Sequence, residues 1–301
     1  MEPRAFSRRR IAAVLQALFI AFLWATSWVL IKFGLQDMPP LVFAGVRYFL
    51  AFIILLIVFF VGARKRSVTP FPKRMWGRVV IFGLLLYAVA QGAMFVALSY
   101  LPAVSLNLIL NFNTLGVALV SAAWLSEKPT GLQWTGIALS LAGAIVYFLP
   151  AAVPQAQMYG VLAALVCLSA NVLAVIVGRD VNSARLYSPL QVTLLSMGAG
   201  SIALLATGLA VEGIPSISLR NWAFILWLAA VNTAFAFTLW NQTLRTLTAA
   251  ESSISTGTML IWIPILAVLF LGEHIMPKQL LGLIAVGAGT LLVQLRGRTR
   301  T

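Results

Sequence analysis

The sequence has 301 residues, with 21 Lys and Arg against 7 Asp and Glu, and its net charge is +14. Only 9% of the residues are charged and 61% are hydrophobic, whereas a soluble domain averages about 25% charged residues. A nucleic-acid-binding protein needs a dense cationic face, but no charged residue occurs between Arg78 and Glu127 or between Lys128 and Arg179. Each of these stretches is long enough for two transmembrane helices. The composition therefore predicts a polytopic membrane protein, and the lone Cys167 excludes a disulfide scaffold.

Apolar windows between charged, proline and polar clusters predict an all-α integral membrane protein with ten transmembrane helices. Each window has about 18–25 residues, which at about 1.5 Å per residue crosses a hydrocarbon core of about 30 Å. The first window follows Arg8, Arg9 and Arg10, but its apolar run is too long for a signal peptide. The predicted spans are residues 11–34, 40–62, 76–98, 103–125, 131–149, 158–178, 187–211, 220–241, 249–271 and 278–295.

The distribution of Lys and Arg among the loops predicts the side that each loop faces. With the N-terminus inside, 17 of the 21 cations fall on the cytoplasmic side, while Lys32, Arg220 and Lys278 fall on the other and Arg47 lies within a span. Because cytoplasmic loops carry the excess of Lys and Arg, both termini are predicted to be cytoplasmic.

An internal repeat divides the chain into two halves. Five spans per half is an odd number, so the second half enters the membrane from the opposite side and the repeats are inverted, as is typical of secondary transporters. The organisation predicted is a cytoplasmic tail at 1–10, a first five-helix repeat at 11–149, a linker loop at 150–157, a second repeat at 158–295 and a tail at 296–301. The matches at an offset of 146 residues are Trp124-Leu125-Ser126-Glu127 with Phe270-Leu271-Gly272-Glu273, Gln133 with Gln279, Gly136 with Gly282, and Gly143 with Gly289.

These motifs make the chain similar to the drug/metabolite transporter superfamily, in particular to its EamA type with two tandem five-helix units. The Ala97-Leu98-Ser99-Tyr100-Leu101-Pro102-Ala103 run, the two helix ends at Glu127 and Glu273, and Arg47 in the second span carry the resemblance. It covers nearly the whole chain and implies ten helices, cytoplasmic termini and export of amino acids or related metabolites. Within the superfamily the chain resembles the YddG-like group of bacterial aromatic amino-acid exporters. The second half departs from the first, with Ser196 where Arg47 stands and Thr248 in place of Pro102.

Polar residues within apolar spans predict which helix faces point into the protein, because polar groups in hydrocarbon are costly. Asn107, Asn111 and Thr114 recur at helical spacing in the fourth span. Such stripes either line a pathway or pack helices together, and the sequence leaves both interpretations open. The candidate substrate-binding residues are Trp24, Ser27, Arg47, Tyr87, Gln91, Asn107, Asn111, Asn171, Asn232, Trp240, Ser252, Thr256 and Trp262.

Arg47 lies about 12 Å deep in the second span at about 1.5 Å per residue. It either pairs with Asp37 or backbone carbonyls, or attracts a substrate carboxylate. No Asp or Glu occupies the middle of a span, and only Glu251 is a candidate for partial burial. Proton-driven transporters commonly relay protons through buried carboxylates or histidine, so we expect uniport down the substrate gradient. Glu127 and Glu273 are expected to cap helices or to form structural pairs.

The sequence contains no GxxxxGK[ST] motif and no closely spaced His or Cys pair, so we expect no ATP, metal or other cofactor and no enzymatic activity. The predicted protein exports amino acids, aromatic or otherwise apolar, and related small metabolites across the bacterial inner membrane by alternating access. Its partners are the small-molecule substrate and the lipid bilayer, without nucleic acid, and it is a monomer or weak homodimer. The alternatives are a nucleotide-sugar or drug carrier of the same superfamily, and a non-transporting membrane receptor or scaffold.

Overall fold

The computed structural model describes residues 8–63, 73–124, 130–149, 155–183, 188–243, 246–247 and 249–294. Throughout these ranges the chain forms helices joined by short loops, and they contain no β-strand. The predicted all-α fold is therefore confirmed. Residues 1–7 and 296–301 of the predicted tails, residues 150–154 of the predicted linker, and Glu127 lie outside the described residues.

The helices follow one another in an order that matches the predicted spans. In the first half they are α1 (Arg8–Gly34), α2 (Pro40–Ala63), α3 (Lys73–Gly83), the π-helix π1 (Leu84–Ala90), α4 (Gln91–Tyr100), α5 (Ala103–Trp124) and α6 (Gly131–Phe148). In the second half they are α7 (Gln155–Ser183), α8 (Pro189–Glu212), α9 (Leu219–Trp227), the π-helix π2 (Leu228–Phe235), α10 (Ala236–Thr243), α11 (Ala249–Gly257), α12 (Met259–Leu271) and α13 (Pro277–Gln294).

Within the described ranges, nine helical stretches are long and apolar enough to cross a membrane. They correspond to the first nine predicted spans. The third span consists of α3, π1 and α4, and the eighth of α9, π2 and α10. In the ninth span α11 continues into α12 through a single turn. α13 has 18 residues, as does the shortest of the nine. Lys278, Gln279 and Gln294 lower its hydropathy, so the tenth span stays a prediction.

Local sequence determines where several helices begin and end. The Thr130 hydroxyl accepts a hydrogen bond from the Gln133 amide at 3.3 Å, and Gln133 Oε1 accepts one from the Thr130 amide at 2.9 Å. Ser188 forms the same capping box with Gln191 at the start of α8. Gly272 ends α12 at a φ of 66°, a left-handed conformation that favours glycine.

α6 and α13 are in backbone contact at the four glycines of the sequence repeat. A Cβ added at Gly136 would lie 2.6 Å from the Gly289 carbonyl oxygen, and one added at Gly289 would lie 2.5 Å from that of Gly136. The corresponding distances between Gly143 and Gly282 are 2.8 and 2.6 Å. Only glycine permits this approach, so the spacing found in the sequence is the spacing at which the two helices touch.

α8 packs against α2 and α3 in a similar manner. A Cβ at Gly45 of α2 would lie 2.6 Å from Leu205 Cα, and one at Gly83 of α3 would overlap the carbonyl oxygen of Ser196. A Cβ at Gly200 would in turn overlap the Gly83 carbonyl oxygen. These contacts hold α2, which carries Arg47, and the junction of α3 and π1 against the same helix.

The structure moves several predicted boundaries. α1 begins at Arg8, and α7 runs from Gln155 to Ser183, so residues 155–157 of the predicted linker are helical. Pro264 lies inside α12, but the interruption of the ninth span is at Thr258, six residues earlier. Pro264 has no backbone N–H, so it cannot donate a hydrogen bond to the Leu260 carbonyl in the turn that follows this interruption.

Candidate functional site

Two π-helices lie within apolar stretches that are otherwise α-helical. π1 lies inside the third span and π2 inside the eighth, and they start 144 residues apart, close to the 146-residue repeat. π-helices are rare and occur frequently at functional sites. Neither was predicted, but each holds a residue that the sequence singled out, Tyr87 in π1 and Asn232 in π2.

Arg47 is buried between α2 and π2, with 4% of its surface exposed. Its Nη2 donates to the Thr233 hydroxyl at 3.3 Å, and that hydroxyl donates to the Leu228 carbonyl at 2.8 Å. The guanidinium carbon lies 5.0 Å from the centroid of the Tyr48 ring and 5.9 Å from that of Phe95. Nε is buried with no hydrogen-bond partner in the described part of the chain, and no carboxylate there pairs with this side chain. Among the described residues, Arg47 is thus a buried cation that is compensated by a hydroxyl and two aromatic rings.

Of the alternatives left open for Arg47, the pair with Asp37 is not formed. Asp37 Oδ2 instead accepts from Arg220 Nη2 at 2.6 Å, and both side chains are about half exposed. Asp37 lies in the loop between α1 and α2, whereas Arg47 lies two turns inside α2. The helical rise over those turns separates the two groups.

Asn232 joins π2 to α1. Its Nδ2 donates to the Leu23 carbonyl, to the Ser27 hydroxyl at 2.9 Å and to the Thr26 hydroxyl at 3.2 Å. In return Trp24 Nε1 donates to the Asn232 carbonyl at 3.2 Å. The side-chain oxygen of Asn232 is buried and has no partner among the described residues. Four polar residues of two distant segments therefore form one network, with one acceptor left unused.

Tyr87 and Gln91 lie one turn apart on the stretch formed by π1 and α4, and Phe95 follows after another turn. Tyr87 is buried, and its ring centroid is 5.7 Å from that of Tyr48. Gln91 Oε1 is buried with no partner in the ranges that the structure describes. Since Tyr48 and Phe95 both contact Arg47, this face of the stretch lies beside the guanidinium. We refer to Arg47, Tyr48, Tyr87, Gln91, Phe95, Asn232 and Thr233 as the Arg47 cluster.

Tryptophans extend this region along α1. The Trp24 ring lies 5.4 Å from Trp240 and 5.6 Å from Phe237, both on α10. Trp262 of α12 packs edge-on against Phe22 of α1 at 5.3 Å. Trp24 is half-buried, and its indole N–H is hydrogen-bonded within the protein.

The predicted polar residues of the fourth and ninth spans lie elsewhere. Asn107 Nδ2 donates to the Met259 carbonyl at 3.4 Å, and Asn111 Nδ2 donates to the Asn107 carbonyl at 3.0 Å. α5 therefore meets the ninth span at the Thr258 interruption, and Ser252 and Thr256 lie on α11, which precedes it. Asn171 donates to the Cys167 carbonyl within α7 at 3.0 Å.

The structure thus brings more than half of the predicted residues together. Those that belong to the Arg47 cluster or contact it or its extension along α1 are Trp24, Ser27, Arg47, Tyr87, Gln91, Asn232, Trp240 and Trp262. Sequence reasoning missed Tyr48, Phe95 and Thr233, because residues of ordinary polarity beside an arginine or within an apolar run give no separate signal.

An apolar groove of about 620 Å³ lies between α1, α9 and α12. Among the described residues that line it, Thr26 alone has a hydroxyl group. Leu23 and Thr26, which accept hydrogen bonds from Asn232, belong to this lining. The other lining residues are Phe22, Val29, Leu30, Phe33, Ala223, Phe224, Trp227, Leu266 and Phe270.

Comparison with known proteins places these features in a family. The sequence model of the EamA-like transporter family matches residues 11–149 and again residues 158–295. YoaV of Bacillus subtilis, an uncharacterized transporter, is 24% identical and is aligned over 94% of this chain and 96% of its own. A probable amino-acid metabolite efflux pump of Escherichia coli is 30% identical over 43% of this chain and 40% of its own.

A solved crystal structure shares the fold with a TM-score of 0.68 at 19% identity, over 97% of this chain and 100% of that one. The family match spans both halves, and the described residues include nine apolar helices able to cross a membrane. The chain is therefore a multi-pass membrane transporter that belongs to the EamA-like transporter family of the drug/metabolite transporter superfamily.

Proposed function

We propose that this chain exports amino acids with apolar or aromatic side chains, and related small metabolites, across the bacterial inner membrane by alternating access. The observation that carries the proposal is Arg47, a buried cation without a carboxylate partner among the described residues. An unpaired charge away from water is costly. A substrate carboxylate offsets this cost, and charge-assisted hydrogen bonds contribute about 1.5–3 kcal/mol each.

The remaining atoms of the Arg47 cluster complement the rest of a zwitterion. Arg47 Nε is a free donor for a carboxylate, whereas Gln91 Oε1 and Asn232 Oδ1 are buried acceptors without partners in the described ranges. An α-ammonium group donates to such acceptors. The rings of Tyr48 and Phe95 beside the guanidinium suit an apolar or aromatic side chain. This lining favours the YddG-like exporters within the superfamily.

The proposed architecture is two inverted five-helix repeats with both termini in the cytoplasm. Two family matches in one chain support the repeats. The reciprocal glycine contacts of α6 and α13 support a pseudo-two-fold axis, because such an axis pairs each residue with the equivalent of its partner. Arg47 is closed off in the described arrangement, so substrate reaches it when the halves separate at one end.

Uniport agrees with the positions of the carboxylates in the described residues. Asp37, Glu212, Glu251 and Glu273 all lie at helix ends or in loops, and Glu251 is paired with Arg10 at 2.6 Å. None is placed to carry a proton through the middle of a span. Amino-acid exchange in proteoliposomes should therefore continue when the pH gradient is collapsed.

Counterflow in proteoliposomes tests the substrate class. Vesicles loaded with unlabelled phenylalanine should take up labelled phenylalanine at least tenfold faster than labelled phenethylamine, which has the ring and ammonium but no carboxylate. A polyamine and a nucleotide sugar complete the panel and test the drug-carrier and nucleotide-sugar alternatives. Equal rates for phenylalanine and phenethylamine, or no exchange of any amino acid, would defeat the proposal.

A further inference from the structure

The apolar groove between α1, α9 and α12 opens to the outside of the helix bundle at the depth of the membrane. Trp227 and Phe270 in its walls are 53% and 59% exposed, and both belong to helical stretches that can cross a membrane. An exposed apolar side chain on such a stretch faces the hydrocarbon of the bilayer. An occupant of the groove therefore enters it from the bilayer.

The groove has the length of one leaflet. Along α1 its lining extends from Phe22 to Phe33, a distance of about 16 Å at about 1.5 Å per residue. The hydrocarbon core is about 30 Å thick, so one leaflet contributes about half of that thickness. A transmembrane helix of another protein needs a groove along the full thickness, whereas an acyl chain ends near the middle of the bilayer. The length thus favours the acyl chain of a lipid.

The described lining of the groove offers no unused polar side chain. The Thr26 hydroxyl donates to the Leu23 carbonyl at 2.6 Å and accepts from Asn232 Nδ2 at 3.2 Å. A zwitterionic amino acid in the groove would have two charged groups without partners there, at a large cost in free energy. The groove is therefore separate from the Arg47 cluster, and its ligand is apolar along its length.

A cation lies at the end of the groove where α1 finishes. Arg220 is in the first turn of α9, and its guanidinium carbon lies 5.9 Å from the centroid of the Phe224 ring, which lines the groove. Its Nη2 donates to Asp37 Oδ2 at 2.6 Å, and its side chain is 51% exposed. A guanidinium has five N–H donors in a planar fork that suits phosphate. Arg220 can therefore bind a phosphate at the membrane surface, and the Asp37 carboxylate competes with that phosphate.

We propose that the groove binds a phospholipid of the leaflet in which α1 ends, with one acyl chain along α1 and the phosphate at Arg220. The chain packs between α1 of the first half and α9 and α12 of the second, so the lipid bridges the two halves. Burial of apolar surface supplies most of the affinity, and the charge-assisted bonds of Arg220 favour a phosphate over an uncharged headgroup. The site is independent of the transported substrate.

Photo-crosslinking in nanodiscs locates the lipid on the full-length protein. Phosphatidylglycerol with a diazirine near the methyl end of one acyl chain should label α1 around Phe22 and α12 around Leu266, at the deep end of the groove. Diacylglycerol with the same chains and diazirine should label these segments about fivefold less, because it lacks the phosphate. Equal labelling by the two lipids, or equal labelling of all exposed helices, would overturn the proposal.

Two substitutions distinguish a headgroup site from an ion pair with no other role. Arg220→Met removes the cation and should reduce labelling by phosphatidylglycerol about fivefold. Asp37→Asn removes the competing carboxylate and should increase the labelling. The two variants break the same 2.6 Å ion pair, so a purely structural pair predicts the same change in both. Labelling that changes alike in both variants, or in neither, would therefore exclude Arg220 from the site.

A bulky side chain tests the groove itself. Ala223→Trp adds an indole to the groove wall and should reduce labelling by phosphatidylglycerol about tenfold, since the acyl chain loses buried surface. Ala142→Trp is the matched control, because Ala142 is exposed on α6 outside the groove lining, and it should leave the labelling unchanged. Undiminished labelling in Ala223→Trp would contradict the proposal.

The same experiment recognises a different occupant. An unlabelled groove in the wild type, together with cross-linked dimers of the chain, would assign the groove to a second copy and overturn the lipid site. These measurements include no amino acid. Failure of phenylalanine counterflow would therefore refute the proposed substrate alone, and failure of groove labelling would refute the lipid site alone.

Discussion

Replacing Arg47 by methionine should reduce amino-acid exchange at least a hundredfold while leaving the folded protein at least as stable as the wild type. The substrate loses charge-assisted hydrogen bonds of about 1.5–3 kcal/mol each, and two of them exceed the roughly 2.7 kcal/mol that a hundredfold change requires. From the described residues, the fold loses a 3.3 Å hydrogen bond to Thr233 and two ring contacts. Exchanging a buried charge for an apolar side chain of similar size is often neutral or stabilising.

Counterflow of labelled phenylalanine and thermal unfolding of the purified protein measure the two effects separately. Arg220→Met is the matched control, because it removes a half-exposed arginine whose partner is Asp37 and should leave exchange unchanged. Arg47→Lys should retain partial exchange, since lysine keeps the charge but not the planar donor geometry. If Arg47→Met exchanges amino acids at the wild-type rate, Arg47 does not bind the substrate. Loss of exchange together with a lower unfolding temperature would assign it a structural role.

The role of a residue could be predicted from the sequence where a short stretch of chain around it carries the pattern. The charge-free stretches on either side of Glu127 and Lys128 require membrane-spanning helices, which the structure has. Gly136 and Gly143 matched Gly282 and Gly289 because the same close approach is needed on both helices of the α6–α13 pair. A glutamate just beyond a helix suggests a capping role, and Glu273 has it.

The partner of Arg47 was not predictable in this way. Asp37 is ten residues away along the chain, whereas Thr233 is 186 residues away and becomes a neighbour only when α2 packs on π2. The π-helices themselves depend on such packing, because a residue accommodated in a wider turn leaves no mark on apolar periodicity over seven or eight residues. The sequence can therefore predict polar residues of the site. The residues that surround Arg47, namely Tyr48, Phe95 and Thr233, are determined by tertiary structure.

Gly83→Val should lower the free energy of unfolding by about 3 kcal/mol, the upper part of the usual range for overpacking. Gly83 ends α3, and any Cβ there would overlap the Ser196 carbonyl of α8. Gly200 of α8 makes the reverse contact with the Gly83 carbonyl. Both obstacles are backbone atoms, so no flexible side chain can move aside, and α3 and α8 must separate. Because π1 begins at the next residue, this separation should also displace Tyr87 and slow exchange.

Gly77→Val on the same helix is the matched control. Beyond the backbone of its own helix, no atom of the described residues lies within 4 Å of a Cβ added at Gly77, so valine there should change stability through helix propensity, by a few tenths of a kcal/mol. Denaturant or thermal unfolding of the two variants in the same detergent gives the comparison directly. Because α3 approaches α8 closely, Gly83→Val should be clearly less stable than Gly77→Val. Equal stabilities of the two variants would mean that these helices are not in backbone contact in the membrane. If Gly83→Val is less stable but exchanges amino acids at the wild-type rate, the packing of α3 on α8 does not determine the position of Tyr87.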